Sequence, residues 1–404
     1  MADRTADRTA LKERLDRATG HLETPVAAVD LAAFDDNADQ LAARSQGKPL
    51  RVASKSVRCR TLLERVLAKP GWRGVMAYTV PEAIWLVRSG VSDDVLVAYP
   101  SADRTGLREL TADAGLAAAI TIMVDHPSHL DLVDQVTPPG DRPAVRLCLD
   151  LDSSWRPAGP LHLGVRRSPV HSAGQAASLA RRLVARPGFT LVGMMSYEAQ
   201  IAGLGDLPPG RALRGRAIRL MQSRSFPEIL RRRAEAVAAV REVADLEFVN
   251  AGGTGSVAVS GADPVVTEVT AGSGLYGPTL FDAYSAWRPT PAAFFALSVV
   301  RRPAPRIATV LGGGWIASGP AETSRQPTPY LPAGLRFKPD EGPGEVQTPL
   351  VGAVADTLRP GDRVWFRHAK AGELCEHVNQ VHLIDGESAT PAPTYRGEGH
   401  AFLG

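Results

Sequence analysis

Short apolar runs rich in β-branched residues recur through the first two thirds of the chain: Leu50–Ser54, Gly74–Ala77, Val95–Ala98, Ile120–Val124, Val145–Leu149, Thr190–Met195, Leu246–Val249 and Val265–Val269. Between them, apolar residues fall at helical spacing, as in Cys59–Ala68, Val80–Arg88, Gly174–Arg186 and Phe226–Val243. Strand alternating with helix predicts parallel strands joined by right-handed crossovers. Eight such units close into a (β/α)8 barrel of the TIM type. The stretch Ala199–Arg224 is rich in Gly, Pro and Arg and is expected to be a lid or a partner contact. Past Tyr276, Pro and Gly become dense and helical spacing fades, while short apolar runs such as Phe294–Val300, Arg306–Leu311 and Arg363–Phe366 sit between turn signals, which predicts a β domain. The early run Val26–Val29 is expected to pair with it. The expected division is a barrel over 35–280 and a β domain made of 1–34 plus 281–404.

Composition narrows the class. A chain of 404 residues suits one barrel plus a smaller domain, and 44% apolar with 22% charged residues is the balance of a soluble globular protein. The net charge of +3 is small, with the arginines scattered among acids, so nucleic acid is not an implied partner. Cys59, Cys148 and Cys375 are widely spaced and odd in number, giving neither a disulfide framework nor a zinc-finger pattern and fitting a reducing cytoplasm. Residues 1–20 repeat Ala-Asp-Arg-Thr and are too charged for a secretory signal, and the apolar run Pro291–Val300 is too short to span a bilayer.

Candidate chemistry follows from the barrel. Active sites of such barrels lie at the C-terminal ends of the strands, with phosphate commonly held after strands seven and eight. There the chain carries Gly252-Gly253-Thr254-Gly255-Ser256 and Gly272-Ser273-Gly274-Leu275-Tyr276, where backbone N–H groups can converge on an anion. Either loop alone reads equally well as a tight turn, but two at the expected positions favour phosphate. Lys55 ends barrel strand one in a chain with six lysines and forty arginines. An amine where Arg would supply a permanent charge suggests a Schiff base rather than a salt-bridged strand end. An amine facing a phosphate cradle across the barrel mouth points to pyridoxal 5′-phosphate. Tyr197, with Gln200 shortly after it, lies just past strand six, placed either to meet cofactor and substrate or to pack under the lid. Past strand five, Arg156 is favoured over Arg166 for the cofactor's phenolic oxygen, its ring nitrogen or a substrate carboxylate, against the plain alternative of a solvated surface arginine.

Several stretches together resemble the fold-type III pyridoxal phosphate enzymes, in particular the D-threonine aldolase and D-serine dehydratase group with its actinobacterial amino acid deaminase/aldolase subgroup. They are Thr24-Pro25 with Val29-Asp30-Leu31, Lys55, Glu82, Ala98-Tyr99-Pro100, the Gly-Gly-Thr-Gly loop at 252–255, and Thr267-Glu268-Val269 with Gly274 and Tyr276, and the resemblance runs in order over residues 24–385. It implies an alanine racemase-like barrel, a cofactor imine at Lys55, a small amino acid as substrate and a homodimer whose second subunit helps to close each site.

The resemblance also implies a divalent metal, zinc or manganese, on a His-x-Cys or His-x-Asp pair after a Gly-Asp-x-Val strand. Here Gly361-Asp362-Arg363-Val364 leads to His368 with Lys370 at the second position, and an ammonium cannot ligate a cation. The alternative pair is His377 and Asn379. The expectation is that Lys370 substitutes for the metal's charge while His368 acts on the β-hydroxyl, weighed against a strand-end His and a surface Lys. The expected activity is retro-aldol cleavage of D-β-hydroxy amino acids to glycine and an aldehyde. The alternatives are β-elimination as in D-serine dehydratase, then racemisation, then a non-enzymatic cofactor carrier; a phosphosugar barrel without any cofactor is a further reading.

Overall fold

The computed structural model describes residues 2–157 and 159–403. A first strand, β1 (Val26–Asp30), precedes the barrel. Then β2 (Leu50–Ala53), β3 (Trp72–Ala77), β4 (Val95–Val97), β5 (Ile120–Val124), β6 (Val145–Asp150), β7 (Phe189–Ser196), β8 (Phe248–Ala251) and β9 (Glu268–Ala271) pair in parallel, each with the next, and β9 closes on β2. Alternate residues of each strand serve two cores, as a side-chain period of two requires. Leu50 and Val52 join the large cluster between strands and helices, while Leu96, Met123, Cys148, Val192 and Phe248 fill a separate cluster within the barrel. Burial pushes the Cys148 thiol well above its ordinary value, which leaves it an inert packing residue.

Below that cluster the barrel holds charge. Arg51, only 2% exposed, forks onto Glu268 at 2.8 and 2.9 Å and onto Asp94 at 2.8 and 3.1 Å. Asn250 donates to the same Glu268 oxygen at 2.8 Å. Every strong donor of the guanidinium is therefore matched, the condition under which a buried charge is tolerated.

Strands seven and eight lie later than the apolar runs suggest. Val265 and Val266 sit in a turn held by Asp263, whose carboxylate accepts from the Val265 N–H at 3.1 Å and whose carbonyl accepts from Val266 at 3.2 Å. The strand starts only after Asp263 and Pro264 have completed that turn, so Ala271 ends it and the glycine turn begins at the barrel rim. The segment expected as a lid or a partner contact is a four-residue helical turn, Ala199–Ala202, a loop, and the start of a helix over Ala212–Arg241 with Pro227 inside it. That helix starts well before the Phe226 expected from periodicity, because its first turns pack beside the barrel mouth rather than along one apolar stripe.

Eight further strands build the second sheet: β10 (Ala293–Ala304), β11 (Ile307–Leu311), β12 (Thr328–Leu331), β13 (Arg336–Phe337), β14 (Gln347–Val351), β15 (Arg363–Arg367), β16 (Gln380–Asp385) and β17 (Ser388–Pro393). Its order is β13-β14-β11-β10-β1-β16-β17, with β15 pairing β10 and β12. β1 lies antiparallel to β10 and parallel to β16, the pairing expected of the early apolar run. The charged N-terminal stretch is a helix, Ala2–Thr19, whose Leu11, Leu15 and Ala18 meet Val26, Phe294 and Trp365. Spacing of three and four residues gives that helix its apolar stripe despite its charge. Among the described residues no helix is long and apolar enough to cross a membrane.

Candidate active site

The two sheets meet at the barrel mouth through one close backbone contact. A Cβ on Gly372 would stand 1.8 Å from the carbonyl oxygen of Lys55, so only glycine lets the loop after β15 lie on the end of β2. That contact brings Lys370 to the same volume as Lys55. A cavity of about 1210 Å³ opens there, lined by Lys55, Ser56, Tyr99, Arg167, Tyr197, Gly252, Gly253, Thr254, Gly272, Ser273 and Lys370 among others. Its outer wall is the segment expected as a lid, including Pro208, Arg211, Arg214 and Ile218.

The Lys55 amine donates to the Tyr99 hydroxyl at 2.6 Å. Burial drives the Tyr99 phenol up, yet the cations Lys55 and Arg167 outweigh it and hold the group below the ordinary tyrosine value. Tyr197 carries no such neighbour at bonding distance, and burial raises it to about 12. Arg167 lies 5.7 Å from the Tyr99 ring and 5.8 Å from the Tyr197 ring, within cation–π range of both. No hydrogen bond or salt bridge is found for its guanidinium among the described residues.

Arg156, favoured from sequence, is not part of the cavity lining: it pairs with Asp152 at 2.6 Å, fixed within its own loop. Arg167 stands where Arg156 was expected. The Gly164 turn (φ +140°) redirects the chain there, which spacing alone does not reveal. Gln200 is buried and donates to the Ser153 carbonyl at 2.7 Å, so it braces the wall.

The glycine turns are stitched together by Thr254, whose hydroxyl accepts from Gly274 N–H at 3.1 Å and Gly272 N–H at 3.4 Å. The N–H groups of Gly252 and Gly253 are occupied by Glu198 at 3.2 Å and Ser256 at 3.1 Å. These two glycines therefore shape the cradle rather than donate to an anion. A Cβ on Gly253 would press on the Tyr197 ring at 3.0 Å. Among the described residues, the donors left in the 3-10 turns Thr254–Ser256 and Ser273–Leu275 are the N–H groups of Thr254, Gly255 and Ser273. The Ser273 hydroxyl bonds that of Ser56 at 3.0 Å, tying the second turn to the end of β2. Leu275 and Tyr276 themselves are core: Tyr276 donates to the Val57 carbonyl at 2.8 Å and is fully buried.

His368 is also inside the protein. Its ring stands edge-on to Tyr276 at 6.1 Å, and burial followed by the charge of Arg367 pushes it down to about 3 against a weak backbone contact with Ala293. It is not among the cavity-lining residues and cannot reach a substrate oxygen there. Lys370 is in the lining, held by the Ser318 hydroxyl at 2.7 Å with Glu373 3.6 Å away. His377 stacks on Trp315 at 4.7 Å and faces, with Asn379, a different cleft beside β1 and β16. Cys375 bonds the Val57 carbonyl at 3.3 Å. Among the described residues no three His, Cys, Asp or Glu side chains gather closely enough to hold a metal ion. The donors near the mouth thus do not fit the metal that the resemblance implies.

Comparison with known proteins agrees with this architecture. The family model for the alanine racemase N-terminal domain matches residues 29–279. The D-threonine aldolase of Arthrobacter sp. is 26% identical over 293 residues, 70% of each chain. The crystal structure of D-threonine aldolase from Filomicrobium marinum superposes with a TM-score of 0.75 at 21% identity, covering 93% of this chain and 95% of that one. D-threo-3-hydroxyaspartate dehydratase from Delftia sp. HT23 gives 0.69 at 18% identity, covering 92% and 97%. At such identities the two structures speak for the fold. With the family model spanning more than half of its length, the chain belongs to the alanine racemase N-terminal-domain family, the fold-type III pyridoxal phosphate enzymes.

Proposed function

We propose that the protein is a pyridoxal 5′-phosphate-dependent lyase that splits D-β-hydroxy amino acids between Cα and Cβ, releasing glycine and an aldehyde. The observation that carries this reading is the single cavity in which Lys55, the two glycine turns and Lys370 meet. Its curated relative is a D-threonine aldolase, which supports the same choice.

Bound pyridoxal phosphate supplies an electron sink for the pair released when a bond at Cα breaks. In this reading Lys55 holds the cofactor through its amine, and the turns at Thr254–Ser256 and Ser273–Leu275 hold its phosphate. Arg167, which has no salt bridge among the described residues, receives the substrate carboxylate, while Tyr99 and Tyr197 wall the site and limit water. Lys370, steadied by Ser318 and Glu373, donates a hydrogen bond to the β-oxygen and stabilises negative charge developing there. A fixed ammonium does this without a metal, so no metal-bound step is needed. We read the working unit as a homodimer.

Incubating the purified protein with D-threonine, D-serine and phenylserine, and measuring glycine, aldehyde, oxoacid and ammonia, tests the reading. Glycine with an equal amount of aldehyde is expected. Oxoacid and ammonia in their place would reassign the reaction to β-elimination.

A further inference from the structure

The Lys55 amine must lose its proton before it bonds the cofactor, since only a neutral amine attacks an aldehyde. We propose that Tyr99 is a catalytic residue that takes this proton directly from Lys55 and returns it when the cofactor bond is exchanged. This rests on the reading that Lys55 bonds the cofactor.

Three observations carry it. The Lys55 amine and the Tyr99 hydroxyl are 2.6 Å apart, within direct transfer distance. Tyr99 lines the main cavity and two smaller ones, so it borders open space as well as Lys55. The Arg167 guanidinium lies 5.7 Å from the Tyr99 ring and favours its phenolate. The cations around Tyr99 are Lys55, Arg58 and Arg167. Facing it from the other elements are Asp103, Asp125 and Asp150, with His129 and the neutral phenol of Tyr197. Burial raises Asp150 to about 7, so its opposing charge is incomplete near neutrality. The phenol is correspondingly held below its ordinary value.

The step balances. Ammonium and phenolate become amine and phenol. The amine then forms a C=N bond with the aldehyde carbon, and its two hydrogens leave with the aldehyde oxygen as water.

The test is the rate at which the full-length chain, stripped of its B6, attaches added pyridoxal phosphate, followed by absorbance between pH 6 and 10 and confirmed by borohydride trapping and peptide mapping at Lys55. In Tyr99→Phe the rising limb of the rate profile is expected to move up by about one unit, making attachment about tenfold slower at pH 7. The rates at the alkaline end should converge. A residue that only shapes the wall would lower the rate equally at every pH, and that result, or an unmoved limb, would overturn the proposal. Arg167→Gln, which keeps Tyr99, provides a second reading: its limb should move in the same direction by a smaller amount, and an unmoved limb counts against the proposal as well. Should the unaltered protein trap no adduct at Lys55, the reading of the function falls, and this proposal with it.

Discussion

The barrel floor and the barrel mouth both hold basic side chains, but they treat them oppositely. On the floor Arg51 is locked between Glu268 and Asp94, and beneath the glycine turns Arg233 is locked between Glu198 at 3.1 Å and Asp263 at 2.7 Å. At the mouth, among the described residues, Lys55 bonds a phenol, Arg167 lies over two aromatic rings without a salt bridge, and Lys370 has a hydroxyl with a carboxylate at 3.6 Å. A fully paired buried cation holds structure, because removing either partner strands a charge. A cation without a full partner is available to a ligand. Arginine occupies the paired positions, and two of the six lysines stand at the mouth, where the proposed reaction needs protons or bonds to be exchanged.

That contrast can be broken from either side. Lys55→Ala should abolish the cofactor's visible absorbance and lower turnover by at least about 10²–10⁴-fold, the span of a proton-transferring group, while the thermal midpoint of the cofactor-free protein stays within a few degrees. Arg233→Met should do the reverse. It leaves Glu198 and Asp263 buried and unpaired, at a cost of about 3–5 kcal/mol in urea unfolding, and weakens phosphate binding because Glu198 holds the Gly252 N–H. Lys370→Met should reduce kcat about 10²–10³-fold, as loss of one oxyanion donor does, with stability unchanged. Added zinc or manganese should not rescue it.

The smallest effect concerns Glu82, which is fully buried and raised to about 7, chiefly by burial. A carboxyl whose folded pKa lies above its unfolded one contributes stability that is complete at low pH and is lost as the pH rises through about 4.5 to 7. Glu82→Gln lacks that titration. Relative to the parent it should gain about 2 kcal/mol between pH 5 and 8, read from urea unfolding at both pH values; a constant difference would show that Glu82 is ionised throughout.

Much of this was legible in the chain. The eight-fold alternation, Lys55 and the two glycine turns follow from strand period, a rare residue type and the usual place of phosphate in such barrels. The N-terminal helix was missed because its stripe of Leu11, Leu15 and Ala18 is thin against its charge, although the spacing was there to read. Strand β8 was set two residues early, and β9 three residues early because apolar Val265 and Val266 belong to an Asp263 turn. Arg156 and Arg167 are indistinguishable by pattern; only the path of the loop decides which is tied to Asp152 and which reaches the tyrosines. His368 looked like chemistry and proved to be core, packed against Tyr276.

The amino-acid sequence by itself determined the barrel, the lysine that ends its first strand and the two glycine turns at its rim, because these depend on local periodicity and on residue types with few alternative uses. Tertiary structure alone decided which charges stay unpaired, that Tyr99 meets Lys55, and that the β15 loop carries Lys370 to the mouth across Gly372. Those are contacts between segments far apart in the chain, and their energies depend on distance and burial, which a linear order of residues does not contain.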